Sequence, residues 1–186
     1  MPTTYCSLHY HATFSTKNRE PFIGKDWRAN LHAYIGGIIK TLGGTPLAIG
    51  GIEDHVHVLM GLRATHRLDY VLRDVKSGSS NWVHATVGKL NFNWQPGYFG
   101  VTVSPSHVEK VKRYILNQEE HHRHKSFEEE YIEMLKLAGI DYDECYARDQ
   151  WLRFAGHWLP SCCPFGARLG DGNVGRQTGL SVPPPA

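Results

Sequence analysis

The hydrophobic residues of this chain repeat with two different periods, and the order in which these periods alternate constrains the fold most. Residues 5–16 alternate between apolar and polar side chains, and this period of two predicts a half-buried strand. Residues 26–42 carry apolar side chains at helical spacing, and Gly43 and Gly44 end the predicted helix. The two faces of the strand are Leu8, Tyr10, Ala12 and Phe14 on one side and Ser7, His9, His11 and Thr13 on the other.

Further periodic segments continue this alternation of strands and helices. Two more strands are predicted at 46–53 and 55–62, and a helix is predicted over 68–86. Residues 90–103 are aromatic and β-branched, which is typical of a strand or a loop followed by a strand.

Two capping boxes place the helices that follow. Ser106 with Glu109 predicts a helix over 107–124, and Ser126 with Glu129 opens another helix after it. The predicted order is therefore β-α-β-β-α-β-α with an added helix. This order favours an α+β domain in which an antiparallel sheet has helices packed on a face.

The composition of the chain changes from about Ala147 onward. Gly, Pro and Arg become frequent, Lys is absent, and the chain closes with three consecutive prolines. Because hydrophobic periodicity is also lost there, we expect one domain over 1–146 and a weakly ordered tail over 147–186.

Cysteine usage and hydropathy bear on the setting in which the protein works. The four cysteines form no Cys-x-x-Cys pair, which argues against a structural zinc site and favours a reduced, cytoplasmic setting. The N-terminus lacks the pattern of a signal peptide, and no stretch of about 18 apolar residues predicts a membrane span. We therefore expect a cytoplasmic protein without a membrane partner.

The segment from Glu53 to Met60 is the sharpest local feature. On a strand, His55 and His57 point to the same face, roughly 6.6 Å apart along the backbone, so that they can converge on one divalent metal. Val56, Val58 and Met60 would point into the core from the opposite face. Two ordinary surface histidines are the alternative, and Glu53 is either a third ligand or is turned away by a bulge.

The helix predicted over 107–124 carries a second set of candidate residues. Tyr114, Gln118 and His122 are spaced four residues apart and would form one line along that helix. Tyr114 can supply a nucleophile and Gln118 a neutral third ligand, although a buried tyrosine capped by a glutamine would show the same spacing. Several cations crowd the same helix and either bind a phosphate backbone or form a solvated face: Lys110, Lys112, Arg113, Arg123 and Lys125.

These features fit one reaction, the cleavage of a phosphodiester by a tyrosine. A phenol has a pKa of about 10 and is a poor nucleophile at neutral pH. A metal ion on the scissile phosphate spreads the developing charge, and two His ligands with a Gln leave the positive charge of that ion undiminished. Attack by Tyr114 would give a covalent phosphotyrosine that a free hydroxyl can reverse without ATP, and the sequence has no Walker-type loop.

Several ordered motifs in this chain resemble the single-tyrosine HUH transposases of bacterial insertion sequences. His55-Val56-His57 resembles the HUH motif, and the segment from Tyr114 to His122 resembles the tyrosine helix of that family. Other segments also resemble the family, and together they span roughly residues 5 to 146: Tyr10 to Glu20, Trp94 to Tyr98 and Ser126 to Tyr131.

The resemblance implies a ferredoxin-like or RRM-like α+β fold and a transposase that excises and inserts single-stranded DNA with hairpins near its ends. It implies Mg²⁺ or Mn²⁺ as cofactor, with Tyr114 as the nucleophile and His55, His57 and Gln118 as the metal ligands. It also implies a homodimer, in which the tyrosine helix of one subunit can complete the site of the other. The basic residues expected to contact DNA are Lys17, Arg19, Lys110, Arg113 and Arg123.

Three other readings of the sequence remain open. A domesticated relative, a REP-associated tyrosine transposase, would use the same chemistry on chromosomal hairpin repeats. An RRM-like module would bind single strands without catalysis by stacking bases on exposed aromatic side chains. A metal-dependent phosphodiesterase would use water and release a free 5′-phosphate. The aromatic residues available for stacking are Phe92, Trp94, Tyr98 and Phe99.

Overall fold

The computed structural model describes residues 5–142, so the expected tail over 147–186 lies outside the described residues. The strands are β1 (Leu8–Ser15), β2 (Thr45–Gly51), β3 (His55–Leu62) and β4 (Phe99–Val103). The two longest helices are α1 (Lys25–Thr41) and α2 (Leu68–Trp82), and each connects strands of the sheet. Within residues 5–142, none of the helices is both long enough and apolar enough to cross a membrane.

The four strands form one sheet in the order β2-β3-β1-β4, and every neighbouring pair is antiparallel. This order, with the chain order β-α-β-β-α-β, is the ferredoxin-like arrangement and confirms the predicted α+β fold. In the register between β1 and β3, Thr13 lies opposite His57. Gly50 of β2 lies opposite His57 on the other side. The strand that carries the predicted ligands His55 and His57 therefore lies between β1 and β2.

The main hydrophobic core lies between one face of the sheet and helices α1 and α2. Ala12 and Phe14 from β1 and Val56, Val58 and Met60 from β3 are all buried there, which confirms the predicted parity of both strands. The helices contribute Leu31, Ile35, Ile39, Val71, Leu72 and Val75 to the same core. The alternate residues of β3, including His55 and His57, consequently lie on the opposite face.

That opposite face is covered by α3 (Val108–Leu116), which packs across β2. Its buried residue Ile115 joins Leu59 of β3 in a small apolar cluster. The approach is close at Gly50, where an added Cβ would lie only 2.1 Å from the carbonyl oxygen of Ile115. Only a glycine permits this contact, which holds the backbone of α3 directly on β2, beside the strand that carries His55 and His57.

The chain after β4 differs from the prediction of one helix over 107–124, which is wrong. A 3₁₀ turn over Pro105–His107 precedes α3, and Asn117 leaves the helical conformation with φ −101° and ψ 21°. A separate short helix, α4 (Gln118–His121), follows that break. Because the helix is interrupted, Tyr114, Gln118 and His122 do not form the straight line that their spacing suggested.

The two predicted capping boxes have opposite outcomes. Ser106 does not cap α3; its hydroxyl group lies beside Ser104 and His107 instead, so that prediction is wrong. Ser126 does cap α5 (Phe127–Leu137). Its hydroxyl oxygen accepts a hydrogen bond from the backbone N–H of Glu129, and the carboxylate of Glu129 accepts one from the backbone N–H of Ser126. This reciprocal pair confirms the second capping box and fixes the point where α5 begins.

The helix predicted over 68–86 and the loop followed by a strand predicted over 90–103 are both present, with internal changes of conformation. In the first segment the α-helical part ends at Trp82, and a single π turn over Val83–Val87 extends the helix. Gly88, with φ 77°, ends this turn. Of the segment 90–103, only Phe99–Val103 is a strand; Trp94 forms one isolated bridge to Thr16.

Candidate active site

The predicted ligands His55 and His57 lie side by side on β3, and both are fully buried. Their ring centroids are 5.1 Å apart and the rings are nearly perpendicular. Phe127, the first residue of α5, stacks on the ring of His55 with a centroid separation of 3.9 Å. The pair therefore lies beneath α3 and α5 and is not part of the surface.

The outer nitrogen of His55 is held by a carboxylate. Its Nδ1 lies 2.7 Å from Oδ1 of Asp54, whose other oxygen accepts hydrogen bonds from Arg19 at 2.9 and 3.1 Å. Burial raises the pKa of Asp54, but the contacts with His55 and Arg19 outweigh burial and hold that pKa below its ordinary value. Asp54 is thus ionised and accepts a hydrogen bond from His55 Nδ1, which orients the ring so that its Nε2 faces the centre of the site.

The second imidazole, His57, is oriented from β1. Its Nδ1 lies 2.9 Å from the hydroxyl oxygen of Thr13 and 3.0 Å from Nε2 of His11. Its Nε2 is buried and has no hydrogen-bond partner among the residues that the structure describes. Burial lowers the pKa of His57 well below its ordinary value, and burial lowers the pKa of His11 to about 4. Both imidazoles are therefore neutral at neutral pH.

Gln118 and His122 approach the same point after the break at Asn117. Gln118 Oε1 lies 3.4 Å from His55 Nε2, and His122 Nε2 lies 3.1 Å from that same nitrogen. Nδ1 of His122 lies 2.9 Å from the backbone carbonyl oxygen of Lys125 and donates its proton there. The Nε2 atoms of His122 and His55 consequently face each other across 3.1 Å.

Glu130 of α5 places a buried carboxylate against these nitrogens. Its Oε2 lies 3.2 Å from His122 Nε2, 3.6 Å from His57 Nε2 and 3.9 Å from His55 Nε2, without a hydrogen-bond partner within the described residues. Its Oε1 accepts a hydrogen bond from Gln118 Nε2 at 3.2 Å. Burial, followed by the charges of Asp54 and Glu133, raises the pKa of Glu130 to about 8.

The hydroxyl group of Tyr114 donates a hydrogen bond to Oε1 of Glu130. The ring of Tyr114 meets that of His57 edge to face, with centroids 5.6 Å apart. The structure thus brings Tyr114, His55, His57 and Gln118 together within one chain. The phenol is capped by a carboxylate, whereas the alternative reading of the sequence expected Gln118 to cap it.

The donor atoms at this point fit a divalent cation. His55 Nε2, His122 Nε2 and a carboxylate oxygen of Glu130 lie within 4.8 Å of one another, and His57 Nε2 lies on the same side. Buried lone pairs without donors are costly, and a cation would satisfy them together. Imidazole nitrogen and carboxylate oxygen are both common ligands of divalent metals in proteins.

Other predicted site residues lie away from this centre. Glu53 is half exposed and pairs with Arg28 at 3.6 Å, so the turn before β3 directs it away from the two histidines. Arg19 is engaged with Asp54, as described above. Arg123 is exposed and pairs with Glu120 at 2.8 Å. Lys17 and Arg113 are exposed as well.

A cleft of about 770 Å³ opens beside Tyr114, between β4, α3 and α5. Lys110, predicted to contact DNA, is exposed and lines this cleft together with His11 and Phe99. Of the four aromatic residues considered for base stacking, only Tyr98 is exposed, while Phe92, Trp94 and Phe99 are buried. A base-stacking surface built from all four side chains is therefore not present.

The sequence pattern did not identify two residues that lie at the centre of the site, His122 and Glu130. His122 was placed on the line of Tyr114 and Gln118 but was not assigned as a ligand. Glu130 stands in an acidic run after Ser126 and looks like a solvated helix residue. The available signal was its spacing of three residues from Phe127, because that spacing puts both side chains on one face of a helix.

Comparison with known proteins adds independent information. The family model described as "Transposase IS200 like" matches residues 4–118. A candidate transposase from Deinococcus radiodurans R1 has a similar structure, with a TM-score of 0.53 and 23% identity, covering 63% of this chain and 95% of that one. A REP-associated tyrosine transposase bound to a REP hairpin has a TM-score of 0.47 and 18% identity, covering 62% and 68%. No curated protein matches the sequence.

Proposed function

The chain belongs to the IS200-like transposase family, and on that basis we propose that it cuts and rejoins single-stranded DNA with Tyr114 as the nucleophile. One observation carries this proposal: the hydroxyl group of Tyr114 shares the carboxylate of Glu130 with a buried group of imidazole nitrogens. A phenol placed beside both a carboxylate and a candidate metal site is an arrangement suited to metal-assisted phosphotyrosine chemistry.

In this proposal His55, His57 and Gln118 hold the ion, Mg²⁺ or Mn²⁺. When bound, that ion supplies Lewis-acid stabilisation of the charge that develops on the scissile phosphate. Asp54 and Thr13 orient the two imidazoles through their outer nitrogens, so that the inner nitrogens keep their lone pairs. The protein therefore prepares the ligands before any substrate arrives.

The proposed reaction is a transesterification at phosphorus. The phenol oxygen of Tyr114 forms a bond to phosphorus, the bond from phosphorus to the 3′-oxygen breaks, and the 5′-phosphate remains on the tyrosine. Glu130 Oε1 accepts the hydrogen bond of the phenol, and the ionised form of this carboxyl, whose pKa is raised to about 8, is positioned to take the phenol proton. The leaving 3′-oxygen takes a proton from solvent water. Attack of a 3′-hydroxyl on the phosphotyrosine reverses the sequence, so no nucleotide cofactor is consumed.

The cleft beside Tyr114 offers a path for the strand. Lys110 and His107 line it on α3 and on the turn before it, and Phe99 lies on β4. Cations along such a path contact phosphates regardless of sequence, which suits a strand that must pass the nucleophile. Hairpin-bearing single-stranded DNA is the substrate that we propose for this surface.

The test is a covalent-adduct assay. The full chain is incubated with end-labelled single-stranded hairpin DNA and Mg²⁺ or Mn²⁺, and products are separated under denaturing conditions. We expect a protein–DNA adduct that Tyr114→Phe abolishes and that Tyr131→Phe, the matched control, retains. His57→Ala should lose the adduct while keeping hairpin binding.

Other outcomes identify the competing functions. An adduct that survives in Tyr114→Phe would point to another tyrosine. Cleavage that yields a free 5′-phosphate without an adduct would indicate a phosphodiesterase that uses water. Binding without any cleavage, with or without metal, would indicate a single-strand binding module.

A further inference from the structure

Two donor groups at the site come from residues that follow the family match, which ends at residue 118. We propose that His122 and Glu130 are additional metal ligands, so that Nε2 of His122 and Oε2 of Glu130 join His55, His57 and Gln118 around one ion. The chemical consequence is a preference for divalent transition-metal ions over Mg²⁺. This inference deepens the proposed function and rests on it for the identity of the other three ligands.

The separations of the donor atoms support one shared ion. Ligands at about 2.1 Å from an ion lie about 3.0 to 3.4 Å apart when they subtend angles between square and tetrahedral. The observed separations from Glu130 Oε2 are 3.2 Å to His122 Nε2 and 3.6 Å to His57 Nε2. The separation between His122 Nε2 and His55 Nε2 is 3.1 Å. His55 Nε2 and Glu130 Oε2 are 3.9 Å apart, so they must approach each other by about half an ångström to share the ion. The donor atoms of His55, His122 and Glu130 lie within 4.8 Å of one another, and His57 Nε2 approaches them from the side of Glu130.

The hydrogen bonds of the three Nδ1 atoms also support a shared ion, because they fix the orientation of each ring. His55 Nδ1 is bonded to Asp54, His122 Nδ1 to the carbonyl of Lys125, and His57 Nδ1 to Thr13 or His11. Each ring therefore turns its remaining nitrogen inward. This pattern, with the outer nitrogen held by a carboxylate, carbonyl or hydroxyl oxygen, is how proteins orient histidine ligands of metals.

Two of the atoms that face the centre are buried without a hydrogen-bond partner among the described residues, namely His57 Nε2 and Glu130 Oε2. Buried polar atoms that stay unpaired are costly. The donor atoms of His55, His122 and Glu130 lie within 4.8 Å of one another, and His57 Nε2 lies 3.6 Å from Glu130 Oε2. A cation bound among these atoms would give Glu130 Oε2 and His57 Nε2 the partner that they lack.

The ligand set determines which metal is favoured. Imidazole nitrogen favours Co²⁺ and Zn²⁺ over Mg²⁺, which prefers carboxylate, carbonyl and water oxygen. Three nitrogens with a carboxylate and an amide oxygen thus select against Mg²⁺ more strongly than two nitrogens and an amide oxygen do. Because the same carboxylate of Glu130 accepts the hydroxyl of Tyr114, it also connects the ion to the nucleophile.

Metal binding by the full-length protein in the absence of DNA tests this inference directly. Co²⁺ titration is followed by visible absorption, and Mg²⁺ binding is measured by competition with Co²⁺. We expect four- or five-coordinate Co²⁺ bands in the wild type, and Co²⁺ affinity at least about tenfold weaker in His122→Ala and in Glu130→Gln. Mg²⁺ affinity of the wild type should be weaker than Co²⁺ affinity by about a hundredfold or more.

The controls match the substitutions in kind. Glu109→Gln removes an exposed carboxylate on α3, and His124→Ala removes an imidazole whose side chain is 81% exposed. Both control variants should bind Co²⁺ as the wild type does. His122→Ala and Glu130→Gln each test one proposed ligand through the Co²⁺ affinity. Denaturation of each variant in the absence of metal shows whether it is folded. Unchanged Co²⁺ affinity in both folded test variants, or equal affinity for Mg²⁺ and Co²⁺, overturns the inference.

The proposed function fails by a different readout. If the metal-loaded wild type forms no covalent adduct, Tyr114 is not the nucleophile, although the ligand set stands on the binding data alone. If instead the adduct forms and the bound Co²⁺ is six-coordinate with affinity unaffected by Glu130→Gln, the cleavage chemistry stands and the additional ligands do not.

Discussion

Replacing Gly50 with alanine is expected to displace Tyr114, the proposed nucleophile, although the two residues are not in contact. The added Cβ would lie 2.1 Å from the carbonyl oxygen of Ile115, whereas real Cβ atoms essentially never come within 3.0 Å of another atom. The obstructing atom is backbone, so it cannot rotate away as a flexible side chain would. Helix α3 therefore has to retreat by about 1 Å, and Tyr114 retreats with the helix.

The magnitude follows from where α3 sits. Gly50 lies opposite His57 in the sheet, and Tyr114 immediately precedes Ile115, so the retreat directly changes the separation of the phenol from the metal ligands. A misplacement of about 1 Å lowers the rate of a positioned reaction by roughly a hundredfold. The overpacked contact should also cost about 1 to 3 kcal/mol in the free energy of unfolding.

The rate of covalent-adduct formation at saturating metal ion and DNA measures the first effect, and urea denaturation measures the second. Gly37→Ala is the matched control, because nothing lies within 4 Å of the added Cβ on α1. An alanine there should leave the adduct rate unchanged and stabilise the helix slightly. Adduct formation by Gly50→Ala at the wild-type rate, with unchanged stability, would show that this contact does not position α3.

Three further expectations follow from the site and its surroundings. Asp54→Asn removes the carboxylate that fixes the proton on His55 Nδ1, so metal affinity should fall by about 10- to 100-fold in a Co²⁺ titration, while an unchanged affinity would contradict that role. Burial and the charge of Arg28 lower the pKa of His32 to about 4. Between about pH 4 and pH 6.5, His32 is therefore neutral in the folded protein and protonated in the unfolded chain. Stability should therefore fall between pH 6.5 and 4, and His32→Gln should flatten the unfolding free energy over that window by roughly 1 to 3 kcal/mol, which parallel pH curves would disprove. Mixing Tyr114→Phe with His57→Ala should not restore the adduct if each site is assembled within one chain, whereas restored adduct would mean that a partner supplies the tyrosine.

The sheet and its ligand strand were predictable from sequence because alternation carries the information locally. Val56, Val58 and Met60 had to face a core, so the histidines between them had to share the other face. The parity of β1 followed in the same way. Thr13 is brought beside His57 by the strand register, which alternation alone does not specify.

The second half of the site was less accessible because it depends on a local break and on tertiary packing. Asn117 interrupts a pattern that remains periodic across it, so spacing alone predicted one helix. The interruption turns Gln118 toward His55, which a continuous helix would not do with the same spacing. Glu130 looks solvated in sequence and becomes buried only because Phe127 stacks on His55.

The position of α5 has a consequence for how the site is closed. Residues 4–118, which match the family, contain the proposed nucleophile and the three expected ligands, but the groups that fill the space between them lie after residue 118. Phe127 covers one face of His55, and Glu130 occupies the gap between His57, His122 and Tyr114. A scissile phosphate that reaches Tyr114 must break the hydrogen bond between the phenol and Glu130 or enter beside it from the cleft lined by Lys110. The segment that carries the two further proposed ligands is therefore also the segment whose packing controls access to Tyr114, the proposed nucleophile.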